Sequence, residues 1–214
     1  MKILNLYACL GGNRYKWDEV TKVDVTSVEW DEELARLYQE RFPNDKVIIA
    51  DAHQYLLEHY KEFDFIWSSP PCPTHSRFNT SMKTKRKMKY PDMRLYEEII
   101  FLQYYYDGKY VVENVIPFYE PLIAAQKRGR HLYWCNFRLP NILSKRKNPD
   151  LSRTKNLTNV MSEFHNYDFR KYKGKQCTKQ MSRNLVDYEA GKTILSTALK
   201  IVNKNLSEQI KLEL

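Results

Sequence analysis

Residues 2–12 read KILNLYACLGG: an apolar run, 2–7, that stops at a Gly11-Gly12 pair. Six mostly apolar residues closed by glycines have the pattern of a buried strand running into a tight turn. The same texture returns at 23–29 (VDVTSVE), 46–50 (KVIIA) and 63–67 (FDFIW), in a strand that includes 110–112, and at 131–137 (HLYWCNF). Between them, residues 31–41 carry Leu34, Ala35 and Leu37 on one helical face, residues 52–61 read as a second helix, and a third begins near Asp92. Strands separated by helices of about ten residues predict βαβ units and a mostly parallel α/β sheet. In such a sheet ligands bind beyond the carboxyl ends of the strands. Glu29, Asp51, residues 68–72 and Glu113-Asn114 all fall there.

Composition sets the outer limits. With 214 residues, 43% hydrophobic and 29% charged, the chain has enough apolar material for a core and reads as one domain with a small appendage. No run approaches the ~20 apolar residues that cross a bilayer, so no membrane partner is expected. The start passes from its apolar stretch into GGNRYKWDEV without a small-residue cleavage site, which argues against a signal peptide. Cysteines 9, 72, 135 and 177 form no CxxC pair, and free thiols in a reducing cytoplasm are the expectation. A net charge of +9 favours a polyanionic partner. Residues 140–180 are polar, basic and irregular, and include Lys145 and Arg146; residues 83–89 (KTKRKMK) form a basic loop with Lys83, Lys85, Arg86 and Lys87. A helix over 186–202 ends the chain's clear elements. The division predicted is a catalytic unit at 1–139, an insert at 140–180 and a returning helical segment at 181–214.

Several residues carry chemistry. After the first strand, Tyr7, Ala8, Gly11 and Gly12 form a turn where backbone can approach a ligand. Glu29 is placed to accept from ribose hydroxyls, Asp51 from an adenine amino group, and Trp30 to stack on the ring, together an adenosyl pocket. The same residues also read as an ordinary turn with two solvated carboxylates. Ser69-Pro70-Pro71-Cys72 presents a thiol on a backbone fixed by two prolines, and a thiolate is a strong nucleophile. Glu113 ends an apolar strand and can donate a proton. Arg128 and Arg130 alternate into a strand and would share one side, suited to a phosphate or a developing anion. No metal ligand set is legible. His75 lies near Cys72, but a Cys–His pair is not the favoured reading.

In this order, Tyr7-Ala8-x-x-Gly11-Gly12, Glu29-Trp30, Asp51, Pro70-Pro71-Cys72, Glu113-Asn114-Val115, Gln126-x-Arg128-x-Arg130 and Asn184-Leu185-Val186 resemble the motifs of the DNA cytosine-5 methyltransferase family. The resemblance covers residues 1–140 and 180–203 and is closest to compact phage-type members. It implies a Rossmann-like class I methyltransferase sheet with a small basic recognition insert. It also implies S-adenosylmethionine as cofactor, S-adenosylhomocysteine as product, and duplex DNA as partner. In the implied mechanism a cytosine is flipped out, Cys72 adds to C6, Glu113 donates to N3, and Arg128 sits near O2. Tyr7, Ala8, Gly11, Gly12, Glu29, Trp30, Asp51, Pro70, Asn184 and Val186 would hold the cofactor. Ser76, Arg77, Lys83, Lys85, Arg86, Lys87, Arg130, Lys145 and Arg146 would meet DNA, with plain backbone binding the alternative role for Arg128.

The chain departs from the family at Asn5, where aspartate is frequent, at Cys9 in place of glycine, and at Pro73 in place of glutamine. The insert is short, so the target site is short or a specificity subunit supplies part of the reading; a monomer is otherwise expected. The setting implied is the cytoplasm of a prokaryotic or phage-infected cell. Two other readings stay open on the same fold: a non-catalytic DNA-binding protein, and a tRNA cytosine-5 methyltransferase.

Overall fold

The computed structural model describes residues 1–81, 87–147, 149 and 155–201. The chain runs β1 (Lys2–Leu6), a 3-10 helix (Asn13–Glu19), β2 (Asp24–Glu29), α1 (Glu32–Arg41), β3 (Lys46–Ile49), α2 (Ala52–His59) and β4 (Phe65–Ser68). It continues with α3 (Arg77–Ser81), α4 (Arg94–Tyr105), β5 (Lys109–Val115), β6 (Gln126–Arg128) and β7 (His131–Cys135). Then come α5 (Leu157–His165), a 3-10 turn (Phe169–Lys171), α6 (Thr178–Asn184) and α7 (Tyr188–Ala198). The strands form one sheet in the order β3-β2-β1-β4-β5-β7-β6. The first five are parallel, and β7 runs antiparallel between β5 and the edge strand β6. This is the mostly parallel sheet that the alternation of strands and helices predicts, and the Rossmann-like methyltransferase sheet that the family resemblance implies. No helix among the described residues is long and apolar enough to cross a membrane.

Side chains alternate across a strand, and both faces of this sheet are apolar, as a parallel sheet covered by helices requires. Leu4, Leu6, Ile66 and Val112 point to one face, where α2 and α4 supply Leu56, Leu95, Ile99 and Leu102. Ile3, Val25, Phe65, Trp67 and Val111 point to the other, against Trp17 of the 3-10 helix and Ile194, Leu195 and Ala198 of α7. A third cluster joins Leu10, Leu34 and Leu37 to Met161, Phe169, Tyr172, Met181 and Leu185.

Several expectations change. The stretch 140–180 is not irregular throughout: α5, the 3-10 turn and the start of α6 lie in it, and their few apolar residues are packed on α1 and the β1 loop. The 3-10 helix at 13–19 and α3 were not anticipated. The last helix covers Tyr188–Ala198, because Asp187 caps it by accepting from the Glu189 N–H at 3.1 Å. Arg128 and Arg130 do not share a strand side: β6 stops at Arg128, and Gly129, at φ +57°, turns the chain into β7. Lys83, Lys85 and Arg86 lie outside the described residues; Lys87 is exposed.

Candidate active site

A cavity of about 440 Å³ opens at the carboxyl ends of the parallel strands, lined on one side by Tyr7, Glu29, Trp30 and Asp51 and on the other by Pro70, Cys72, Glu113 and Asn114. α6 and the residues before it close the cavity with Gln176, Gln180, Arg183 and Asn184. The size is typical of small-ligand sites, about 300–1,000 Å³.

The thiol is set by its loop. Pro70 is buried and its carbonyl accepts from the Asn114 side chain at 3.0 Å, which pins the loop that carries Cys72 to β5. The Cys72 carbonyl accepts from the His75 and Ser76 N–H groups at 3.1 and 3.0 Å, so the chain turns sharply past the sulfur. Burial, then the Glu113 carboxylate, push the Cys72 thiol up to about 11, opposed by the guanidinium of Arg183. Glu113 is itself buried on β5, and His131 Nε2 lies 3.6 Å from its Oε1. His75 is not paired with the sulfur; its Nδ1 is bonded to the Tyr119 hydroxyl at 2.5 Å.

On the other side, Glu29 is 5% exposed. It accepts from the backbone N–H of Cys9 at 2.8 Å and from those of Trp30 and Asp31 at 3.0 Å each. A carboxylate has about four acceptor sites, so about one remains for a ligand hydroxyl. Burial raises Glu29 despite these three donors. The Trp30 indole is 78% exposed at the cavity edge, a free face for a flat ring. Asp51 caps α2 through Gln54 N–H at 3.1 Å and meets Arg94 at 3.3 Å; the backbone donor and the arginine lower its pKa and keep it charged.

The glycine turn has a different role from the one expected. A Cβ on Gly11 would lie 2.4 Å from the Phe42 ring, and on Gly12 2.4 Å from the Val186 carbonyl. These two glycines, with buried Ala8, pack the loop against α1 and the final segment and do not line the cavity. Val186 packs against Gly12 and does not line the cavity, whereas Asn184 lines it.

Other expected residues are spread outward. Arg128 does not line the cavity; its guanidinium donates to the carbonyls of Leu139 at 2.6 Å and Pro140 at 2.5 Å, holding the chain beyond β7. Arg146 is similarly engaged, 2.6 Å from Asp187 and stacked 3.9 Å from the ring centroids of both Phe164 and Tyr188. Ser76 accepts from the Phe78 N–H at 3.2 Å, and Arg77, Arg130 and Lys145 are exposed. His131, Arg183, Gln176 and Gln180 were missed. Neither glutamine nor Arg183 sits in a strand-end pattern, since α6 brings them in from the far part of the chain. No cluster of His, Cys, Asp and Glu suited to a metal ion occurs among the described residues.

A nucleophile and a carboxyl group on one wall, facing an aromatic and two carboxylates on the other, suit covalent attack on a flat ring beside a nucleoside-bearing cofactor. The family model for C-5 cytosine-specific DNA methylase matches residues 1–121. No curated protein matches the chain in sequence. Among solved structures, an Entamoeba histolytica methyltransferase, EhMeth, is 10% identical, with 95% of this chain and 99% of that chain covered and a TM-score of 0.56. A DNMT2 mutant from Spodoptera frugiperda is 21% identical, with 69% and 53% covered and a TM-score of 0.46. An Escherichia coli prophage protein, described as a DNA modification methyltransferase, is 18% identical, with 56% and 34% covered and a TM-score of 0.40. The chain thus spans about half the length of the DNMT2 structure. The family match runs from β1 through the loop that carries Cys72 to just past β5, the stretch that builds both cavity walls, and by it the chain belongs to the C-5 cytosine-specific DNA methylase family.

Proposed function

We propose that the protein methylates C5 of a cytosine extruded from duplex DNA, using S-adenosylmethionine and a covalent Cys72 adduct. The observation that carries this is the opening of Cys72 and Glu113 into one cavity whose far wall has the exposed Trp30 face and a buried carboxylate with a spare acceptor site. That wall fits the family's cofactor. Trp30 would lie against the adenine, Glu29 would accept from the ribose, and Asp51 would meet the adenine edge. Bound there, the cofactor supplies the electrophilic methyl group.

The remaining chemistry is done by the chain. Cytosine C6 is a poor electrophile until N3 is protonated. That proton leaves the Cys72 thiol, Glu113 is placed to carry it to N3, and the thiolate adds to C6. The two groups are coupled. The negative Glu113 raises the Cys72 pKa, so sharing a proton between Glu113 and N3 removes that repulsion and favours the thiolate as the base is seated. After methyl transfer, water takes the C5 proton, the C5=C6 bond re-forms, and the Cys72–C6 bond breaks with its electron pair returning to sulfur. The exposed Arg77, Lys87, Arg130 and Lys145, with the insert at 140–180, are assigned to the phosphate backbone, and the unit at 1–139 with the returning segment to catalysis.

Duplex DNA carrying 5-fluorocytosine tests the reading, because C5 cannot lose fluorine and the thiol stays attached. A stable adduct mapped to Cys72, dependent on S-adenosylmethionine, is expected with DNA, with tRNA as the parallel substrate. An adduct with tRNA alone overturns the DNA assignment, and no adduct with either overturns the mechanism.

A further inference from the structure

One carboxylate lies beneath three of the loops that build the cavity. Glu98, on α4, is fully buried. Its Oε1 accepts from the Tyr7 hydroxyl at 2.5 Å and from His53 Nδ1 at 3.1 Å, and its Oε2 accepts from the Ser68 hydroxyl at 2.5 Å. Tyr7 is in the loop after β1 and lines the cavity. His53 follows Asp51 and Ala52, both of which line it after β3. Ser68 is the last residue of β4, four before Cys72. The three donors therefore come from the ends of three adjacent or nearby strands and converge on one side chain.

The placement is costly unless it is used. A buried carboxylate without partners carries a desolvation penalty of several kcal/mol, and a core helix face is normally apolar. Here Leu95, Ile99 and Leu102 flank Glu98 on the buried stripe. Tyr7 also adopts φ 56°, a left-handed conformation that a bulky residue holds only when its surroundings impose it. Glu98 holds the side chain of this strained residue. Burial and the adjacent carboxylate keep the Tyr7 phenol protonated, hence a donor, and the same carboxylate raises the His53 pKa.

We infer that Glu98 is a positioning residue that holds the cofactor side of the cavity, through Tyr7 and His53, in register with the nucleophile loop, through Ser68. The inference rests on the proposed methyl transfer and assigns the residue that sets its two halves against each other. It acts through Tyr7 and Ser68 and does not touch the reacting atoms.

Three variants test it. Tyr7→Phe and Ser68→Ala each delete one donor and leave Glu98 in place. Glu98→Gln keeps the volume but puts an amide NH₂ against one hydroxyl donor. Charge-assisted hydrogen bonds are worth enough to expect about tenfold effects. Tyr7→Phe should weaken S-adenosylhomocysteine binding, and raise KM for S-adenosylmethionine, about tenfold with kcat little changed. Ser68→Ala should slow formation of the 5-fluorocytosine adduct about tenfold with cofactor affinity little changed. Glu98→Gln should do both, and the double variant Tyr7→Phe/Ser68→Ala should match Glu98→Gln more closely than either single change. A merely structural role would lower Tm without this split. Should Glu98→Gln fail to fold, the two single variants and their double still decide. Wild-type binding and adduct formation with unchanged variants, or equal effects of both single variants on both readouts, overturn the positioning role alone. A wild-type protein that neither binds S-adenosylhomocysteine nor forms the adduct overturns the underlying function, and the inference with it.

Discussion

At the residue scale the decisive group is Cys72. Its thiol is pushed up to about 11, so in the free protein only about one molecule in ten thousand is ionised at pH 7. The thiol is quiet in the free protein. Alkylation by iodoacetamide, followed residue by residue by mass spectrometry, should rise about tenfold per pH unit at Cys72 from pH 7 to 10. A Cys72 profile that levels off below about pH 9 would refute the burial argument. Cys72→Ser should abolish methyl transfer and leave DNA binding intact, checked by transfer of labelled methyl and by gel shift. The thiol, Glu113 and the cofactor-side trio of Glu29, Trp30 and Asp51 were legible from their places after apolar strands. Glu98 was written more faintly, as an acid on an apolar helix stripe. His131 was hidden, since its approach to Glu113 depends on antiparallel pairing of β5 with β7.

At the element scale α7 is the closure of the fold. Gly191 faces the 3-10 helix so closely that an added Cβ would lie 2.2 Å from the Asn13 carbonyl oxygen. In a free helix Gly→Ala stabilises by roughly 1 kcal/mol. Here Gly191→Ala should destabilise by about 2–3 kcal/mol, because the obstructing atoms are backbone and overpacking has no easy relief. Thermal denaturation should show a Tm several degrees lower; an unchanged or higher Tm would mean that α7 can shift away. β1–β5, β7, α1, α2 and α4 could be read because each carries apolar residues at its period, which β6, reading QKR, does not. α5 and α6 could not, because among the described side chains they bury only Met161, His165, Met181 and Ser182 within a run of mostly polar and basic residues. The surface they cover, Leu10, Leu34 and Leu37, lies more than a hundred residues earlier.

For the whole molecule, acid stability depends on how the late segment is packed. His165 is 2% exposed, and burial, with Arg41 and then Arg146 nearby against the opposing charge of Asp187, pushes it down to about 3. The unfolded chain binds a proton at its ordinary ~6.5 while the folded chain does not. The stability contributed by the neutral ring is thus complete above about pH 6.5 and falls away as the pH drops toward 3. The loss should be about 2–4 kcal/mol between pH 7 and 4, read from urea midpoints, and His165→Phe should flatten that slope. An equally steep slope in the variant would assign the acid sensitivity to other groups.

The sequence by itself determined the α/β alternation, the parallel sheet and the placing of Cys72 and Glu113 at strand ends, because period, prolines and strand ends are local properties of neighbouring residues. Only the tertiary structure decided that Gly11 and Gly12 serve packing, that Arg128 and Arg146 hold the chain to itself, and that Glu98 gathers three loops. Those roles depend on which distant atoms arrive at contact distance, and the spacing of residues along a chain carries no record of that.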